Sequence, residues 1–298
     1  MTTDNSRDVQ EPTNLPRIQR DLLWSVNSAS LLNDAPEACP LQRNDLDQQH
    51  VSEAAEKPSD HRVGRYFERL IRYWLTELRG VTDLQHSTQI RDGNRTIGEL
   101  DFLFTDEQGQ RTHLETAVKF YLYDSQSEMH GSHFIGPNAG DTFERKTKRL
   151  FDHQLPLGRK HFGDVRVTQA WVKGRIFYHP EQVLPDELPA ALSPQHQRGT
   201  WIRASELEYL CNTLDQTVYR VLQKPHWLSQ EIADVGDPTL MPPEQMASSL
   251  KEHFQTSSYP VLVSKMTNSV QRFAETDRIF VVADAWPSRD DRLQRDTA

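Results

Sequence analysis

The 298-residue chain is long enough for one large domain or two modest ones whose cores need no disulfide staple, which excludes the small-scaffold class. Its 34 Lys and Arg against 43 Asp and Glu give a formal charge of -9, which argues against coating of nucleic acid by the whole surface and leaves room for a local basic groove. Only 36% of the residues are hydrophobic, yet 6 Trp, 12 Phe and 8 Tyr supply burial units that a fully disordered chain lacks.

The first 15 residues are polar and carry no basic-then-apolar signal pattern, and no stretch reaches the roughly 18 apolar residues of a membrane span. The expected location is therefore cytoplasmic, without a membrane partner. Cys39 and Cys211 show no metal-type spacing and read as ordinary thiols of a reducing compartment. Residues 15–32 carry Ile18, Leu22, Leu23 and Val26 at helical spacing, and residues 33–58, with Pro36, Pro40 and Pro58, read as a linker. The clearest helix is 60–78, where Val63, Phe67, Leu70, Ile71, Trp74 and Leu75 fall on one face; Ser59 or Asp60 caps it and Gly80 ends it.

Three strands follow, at 84–91, 96–105 and 112–123, joined by turns at Asp92-Gly93-Asn94 and Gly109. After a loop rich in Ser, Gly and His, Asp141 and Glu144 form a capping pair that opens a helix running to about residue 155. A strand at 165–178 and a Pro-rich connection at 180–199 come next. Short helices near 204–210 and 243–254 and strands at 261–264 and 279–283 complete the chain. This pattern predicts an α/β protein of the α+β type, with a central mixed β-sheet flanked by helices. It divides into an N-terminal helix and linker (1–58), a core (59–180) and a C-terminal α/β extension packing on that core (181–298).

Strand alternation locates the chemistry. In IGELDFLF, Ile97, Glu99, Asp101 and Leu103 share one face and Leu100, Phe102 and Phe104 the other, apolar one. In HLETAVKFYL, His113, Glu115, Ala117, Lys119 and Tyr121 share a face. Pairing across the Gly109 turn then sets Asp101 opposite or diagonal to Glu115, with Lys119 farther along. Two such carboxylates suit a hard divalent cation such as Mg²⁺, and an ammonium nearby can orient a water or offset charge on a phosphate. Glu68, at the border of the preceding helix's apolar stripe, leans toward the sheet.

A helix bearing a glutamate, then GELDFLF, then a strand with Glu115 and Lys119, then another helix resembles the PD-(D/E)XK nuclease superfamily. More widely, RDLLW near Leu22, LETAVKFYL, the loop Gly136-Pro137-Asn138 and the late RIFVVADAWP resemble a bacterial domain-of-unknown-function family placed in that superfamily. The resemblance implies a restriction-endonuclease-like core, one or two Mg²⁺ ions and a DNA or RNA substrate. It makes Asp101 the first-motif aspartate, Lys119 the lysine and Glu68 the helix glutamate, with Asp101 and Glu115 on the metal. One departure stands out: Ala117 occupies the position two residues before the lysine where the superfamily carries its second acid. Glu115 lies four residues before the lysine, roughly 13 Å along a strand, and Glu99 is a further candidate ligand.

Arg145, Lys146 and Arg149, with Lys148, give the helix after Gly136-Pro137-Asn138 a basic side suited to a phosphate backbone. Asp141, Glu144 and Asp152 on the same segment offer ordinary salt bridging instead. His130 and His133 lack the further Cys or His ligands of a zinc site, and the Trp residues at 171, 201, 227 and 286 read as packing anchors. Two functions stay open at this point: a Mg²⁺-dependent phosphodiesterase of the nuclease type, or a nuclease-fold protein without catalysis that binds nucleic acid or protein partners.

Overall fold

A computed structural model describes residues 15–33, 35–36, 40–46, 61–93, 95–213, 216–269 and 272–288. Cys39, Ser59, Asp60, Asn94 and most of the expected linker lie outside the described residues. The chain forms the predicted mixed sheet flanked by helices. Ten strands run in the order β1-β2-β3-β5-β6-β10-β9-β7, with β4 pairing with β3 and β8 with β10. They are β1 Thr82–Asp92, β2 Arg95–Thr105, β3 Arg111–Tyr123, β4 Phe134–Ile135, β5 Val167–Tyr178, β6 Gln197–Arg203, β7 Thr217–Val221, β8 Ile232–Asp234, β9 Val261–Ser269 and β10 Arg272–Val282. The contacts β3 to β5, β5 to β6 and β6 to β10 are parallel and the others antiparallel. The strands after residue 181 thus continue the sheet begun by β1 to β5.

Helix α1 (Arg17–Asn27) stops short of the expected residue 32. Ser28 turns extended, and the Lys173 ammonium donates to the carbonyls of Val26 (3.1 Å) and Ser28. These carbonyls have no intrahelical donor at a helix end. The released segment pairs instead with the sheet region: Leu31 N–H donates to Val172 O at 2.8 Å and Leu32 bridges to Leu192. Helix α2 (Val63–Tyr73) continues as a π-turn over Trp74–Leu78, and Gly80, at φ +69°, ends the segment. It begins at Val63, after the extended Arg62.

Helices α1 and α2 cover one sheet face on Phe102, Phe104, Leu114, Val118 and Trp171. The opposite face carries Tyr121, Val172 and Tyr178 under Leu31, Leu32 and Phe143. After β4 come α3 (Phe143–Arg149), a π-turn (Leu150–Gln154) and α4 (Leu155–His161), so this helical segment runs one and a half turns past its expected end. Thr142, not the expected Asp141, caps α3, its side chain accepting from Arg145 N–H at 3.4 Å. Helix α5 (Pro243–Thr256) covers the far end on Ile202, Val263, Ile279 and Val281.

Two irregularities shape the centre of the sheet. Strand β2 pairs with β3 only from Phe102↔Leu114 to Thr105↔Arg111, and β4 rejoins β3 at Leu122 and Tyr123. Between these, no strand among the described residues occupies that edge of β3, and a notch opens. Leu100 leaves the face it was expected to share with Phe102 and Phe104, packing with Ile90 and Leu157 of α4 where β2 peels away. On the other side of β3, Gly174 faces Lys119 in register; a Cβ there would sit 1.8 Å from the Lys119 carbonyl oxygen. Only glycine allows that approach.

Candidate functional site

Asp101 stands at the fork where β2 leaves β3. Its Oδ2 accepts from the Thr116 N–H at 2.8 Å and faces the Thr116 hydroxyl at 3.3 Å. That N–H is a donor which a continuing β2 would have satisfied, so the carboxylate replaces a missing strand. The next register step past Phe102↔Leu114 sets Asp101 beside Glu115, and Asp101 N–H reaches toward Glu115 Oε1 at 3.4 Å.

Glu115 is only 2% exposed, and both of its oxygens are engaged. Oε1 lies 2.7 Å from Nε2 of the fully buried His113, and Oε2 accepts from Gln154 Nε2 at 3.0 Å. The contact assigns the proton to His113 Nε2, which leaves Nδ1 a buried atom without a partner. Gly158 of α4 makes room for the ring, since a Cβ there would lie 2.6 Å from Nδ1. The π-turn carries Gln154 to Glu115 from the same helical segment, consistent with the concentration of such turns at functional sites.

Burial, reinforced by the charge of Glu115, pushes the Asp101 carboxyl up to about 7, against the pull of the Thr116 N–H. Glu68, half-buried on α2, adds to that push, so the charges of Glu115 and Glu68 both act on Asp101. Lys119 lines the same cavity, but the charges acting on its ammonium are those of Asp141 and Lys146, and burial holds its pKa below the usual lysine range. Glu99 is exposed on β2 and its charge acts on His86; the structure does not bring it to the cavity.

The cavity encloses about 260 Å³ between the notch and α3. Lys146, paired with Asp141 at 3.7 Å, and Arg149 line it, whereas Arg145 is exposed elsewhere on α3. Among the described residues, no group of three or more His, Cys, Asp or Glu side chains is placed to hold a metal ion. His133 Nδ1 is occupied by the carbonyls of Asp124 and Ser127 at 3.0 and 2.8 Å, as a loop-organising group. Trp171, Trp201 and Trp286 are buried anchors and Trp227 is half-buried. Cys211 is a free, exposed thiol.

Sequence reasoning passed over His113, Thr116 and Gln154. The signal for Gln154 was an amide on the apolar helix stripe of Phe143, Thr147 and Leu150, where a polar group requires a partner. Gln154→Leu leaves Glu115 Oε2 orphaned, and urea denaturation is expected to show a loss of about 1–3 kcal/mol. A loss below a few tenths would mean that water replaces the amide and that Gln154 does not fix Glu115.

No helix among the described residues is long and apolar enough to cross a membrane. No curated protein matches the chain. A family model described as a domain of unknown function, DUF1853, matches residues 20–282, which take in the fork, both π-turns and every strand of the sheet. The chain belongs to the DUF1853 family.

Proposed function

We propose that the cavity at the fork is the centre of a Mg²⁺-dependent phosphodiesterase acting on DNA or RNA. The observation that carries this reading is the adjacent pair Asp101 and Glu115, joined by the approach of Asp101 N–H to Glu115 Oε1 and with the Asp101 carboxyl raised by burial and then by the Glu115 charge, in a cavity rimmed by Lys146 and Arg149. Such a pair is unfavourable when both carboxylates are ionised, and binding of a divalent cation would relieve the conflict. The donor set fits Mg²⁺, which takes one or two carboxylates and fills its remaining positions with water and phosphate oxygens. Asp101 and Glu115 would hold it. When bound, the ion supplies Lewis-acid polarisation of the phosphoryl group and a bound water of lowered pKa.

The chain's own residues do the rest. His113 and Gln154 fix the Glu115 carboxylate from both oxygens, Thr116 fixes Asp101, and Lys146 and Arg149 supply positive charge for a phosphate backbone. Resemblance of β2 and β3 to the PD-(D/E)XK strands supports the same reading. A second reading, a nuclease-like protein that binds without cleaving, is favoured by one observation: Lys119 answers to Asp141 and Lys146 instead of the carboxylate pair.

Single- and double-stranded DNA and RNA incubated with Mg²⁺ or Mn²⁺, against EDTA, separate the two readings. Cation-dependent cleavage is the expected result. Salt-dependent binding with no turnover of any form would select the second reading.

A further inference from the structure

Helix α2 carries more positive charge than its own stability explains. It holds Arg65, Arg69 and Arg72 against the single Glu68, and Arg62 is its N-cap, in a chain whose formal charge is -9. At 100° per residue the four arginines fall within about 80° of one another, while Tyr66, Phe67, Leu70 and Ile71 face the core. Arg62, Arg65 and Arg72 are exposed and Arg69 is half-buried. No acidic residue occupies the first turn, and Arg62 and Arg65 stand there at the positive end of the helix dipole, where a cation is disfavoured. One carboxylate cannot neutralise four guanidiniums, and Arg69 and Arg72 form no ion pair among the described residues. The Arg69 guanidinium lies over the Tyr66 ring, 5.8 Å from its centroid, which orders it without neutralising it.

This arginine stripe borders the fork. Glu68, set between Arg65 and Arg72 at helical spacing, is the α2 residue whose charge acts on Asp101. Burial and then the Arg72 charge hold the His86 imidazole below its ordinary range, and that ring packs on Phe102, the neighbour of Asp101, with centroids 4.9 Å apart. The stripe thus flanks the fork from the α2 side of the sheet, whereas Lys146 and Arg149 line the cleft from the α3 side. From Arg65 to Arg72 is about two helical turns, roughly 10 Å, which matches about three nucleotides of one strand at 3.4 Å each. The apolar face of α2 is buried in the core, so the charge has none of the apolar flank with which a helix lies in a lipid surface. That favours a nucleic-acid backbone as the anionic partner.

We infer that Arg65, Arg69 and Arg72, with Arg62 at the helix start, form a phosphate-contacting surface that holds the nucleic-acid backbone flanking the segment at Asp101 and Glu115. This rests on the nucleic-acid part of the reading above and not on its hydrolytic part. Contacts to phosphate position a strand without reading its bases. The surface therefore sets affinity and salt dependence and leaves sequence preference untouched.

Binding is measured by fluorescence polarisation of labelled single- and double-stranded DNA and RNA in EDTA, from about 50 to 200 mM KCl. Wild type is compared with Arg72→Gln, Arg69→Gln/Arg72→Gln and, as a control, Lys251→Gln, which is exposed on α5 at the far end of the sheet. The slope of log K against log salt is expected to flatten by about 0.7–0.9 for each arginine removed, with affinity at 0.1 M KCl falling about five- to tenfold per arginine. Lys251→Gln should match wild type. Arg72 is exposed, so its variant decides the matter even where Arg69→Gln disturbs the Tyr66 contact. An unchanged slope in both arginine variants overturns the inference, and so does wild type that binds neither DNA nor RNA. Binding to phosphatidylserine vesicles that these variants abolish, with DNA and RNA binding unaltered, overturns it in favour of a membrane surface. Cation-dependent cleavage with an unchanged slope leaves the hydrolytic reading standing, whereas a flattened slope without cleavage upholds the surface and removes that reading.

Discussion

Asp101→Asn is expected to lower cation-dependent cleavage by about 10²–10³-fold or more, while making the protein more stable than wild type above neutral pH. The amide keeps an oxygen for the Thr116 N–H, so the fork retains its closure, but it removes the charge that a divalent ion needs. The stability effect follows from linkage. Asp101 titrates at about 7 in the folded protein against an ordinary value of 3.8, because burial and Glu115 disfavour its ionised form. Below pH 3.8 both states hold the proton and Asp101 contributes nothing. As pH rises from there to about 7, the unfolded chain releases its proton first, so wild-type stability falls across that window and levels off above it. Each unit of difference is about 1.4 kcal/mol, which makes the loss a few kcal/mol.

Asn removes that slope. Denaturant unfolding at pH 4 is expected to give nearly equal stability for wild type and variant, and at pH 8 to favour the variant. Mg²⁺ should reverse the order, raising the wild-type Tm at pH 8 more than at pH 5 and leaving the variant unmoved. A variant that unfolds more easily at pH 8 would show that Asp101 is ionised without conflict, and the pairing with Glu115 would lose its functional meaning.

The parts of this site that could be read from the residues are those encoded by short-range rules. Alternation in β2 and β3 and the turn at Gly109 put Asp101 opposite or diagonal to Glu115 on one face, because a slip of a single residue would turn the apolar set of one strand outward. The turn of Lys119 toward Asp141 was not legible, since Asp141 arrives from a loop after β4 that no local pattern ties to β3. Strands β4, β7 and β8, two to five residues long, are too short for alternation to be distinguished from chance. The end of α1 was set by tertiary partners: Lys173 and the Val172 carbonyl claimed its last turn. His113 lay in plain view two residues from Glu115, but its burial depended on Gly158, from a helix whose length exceeded the periodic signal.

Arg278→Leu is expected to destabilise the protein by about 3–5 kcal/mol, lowering Tm by roughly 10 °C. Arg278 is fully buried in β10, and its guanidinium donates to both oxygens of Glu275, at 3.0 and 2.9 Å, and to the carbonyls of Trp227 and Ser229, at 2.5 and 2.7 Å. Leucine fills much of the volume but leaves Glu275, 7% exposed, with a single 3.3 Å approach from Glu231 N–H and orphans the two carbonyls. Arg278→Lys keeps the charge without the planar fork and should lose about half as much. In the double variant Arg278→Leu/Glu275→Leu the uncompensated charge is gone, and much of the loss should return. Trp227 also packs edge-on against Phe120, the residue after Lys119, at 5.6 Å. Chemical denaturation of the three variants measures the hierarchy, and equal destabilisation in the single and double leucine variants would show that the carbonyls, and not the Glu275 charge, are what Arg278 holds in place.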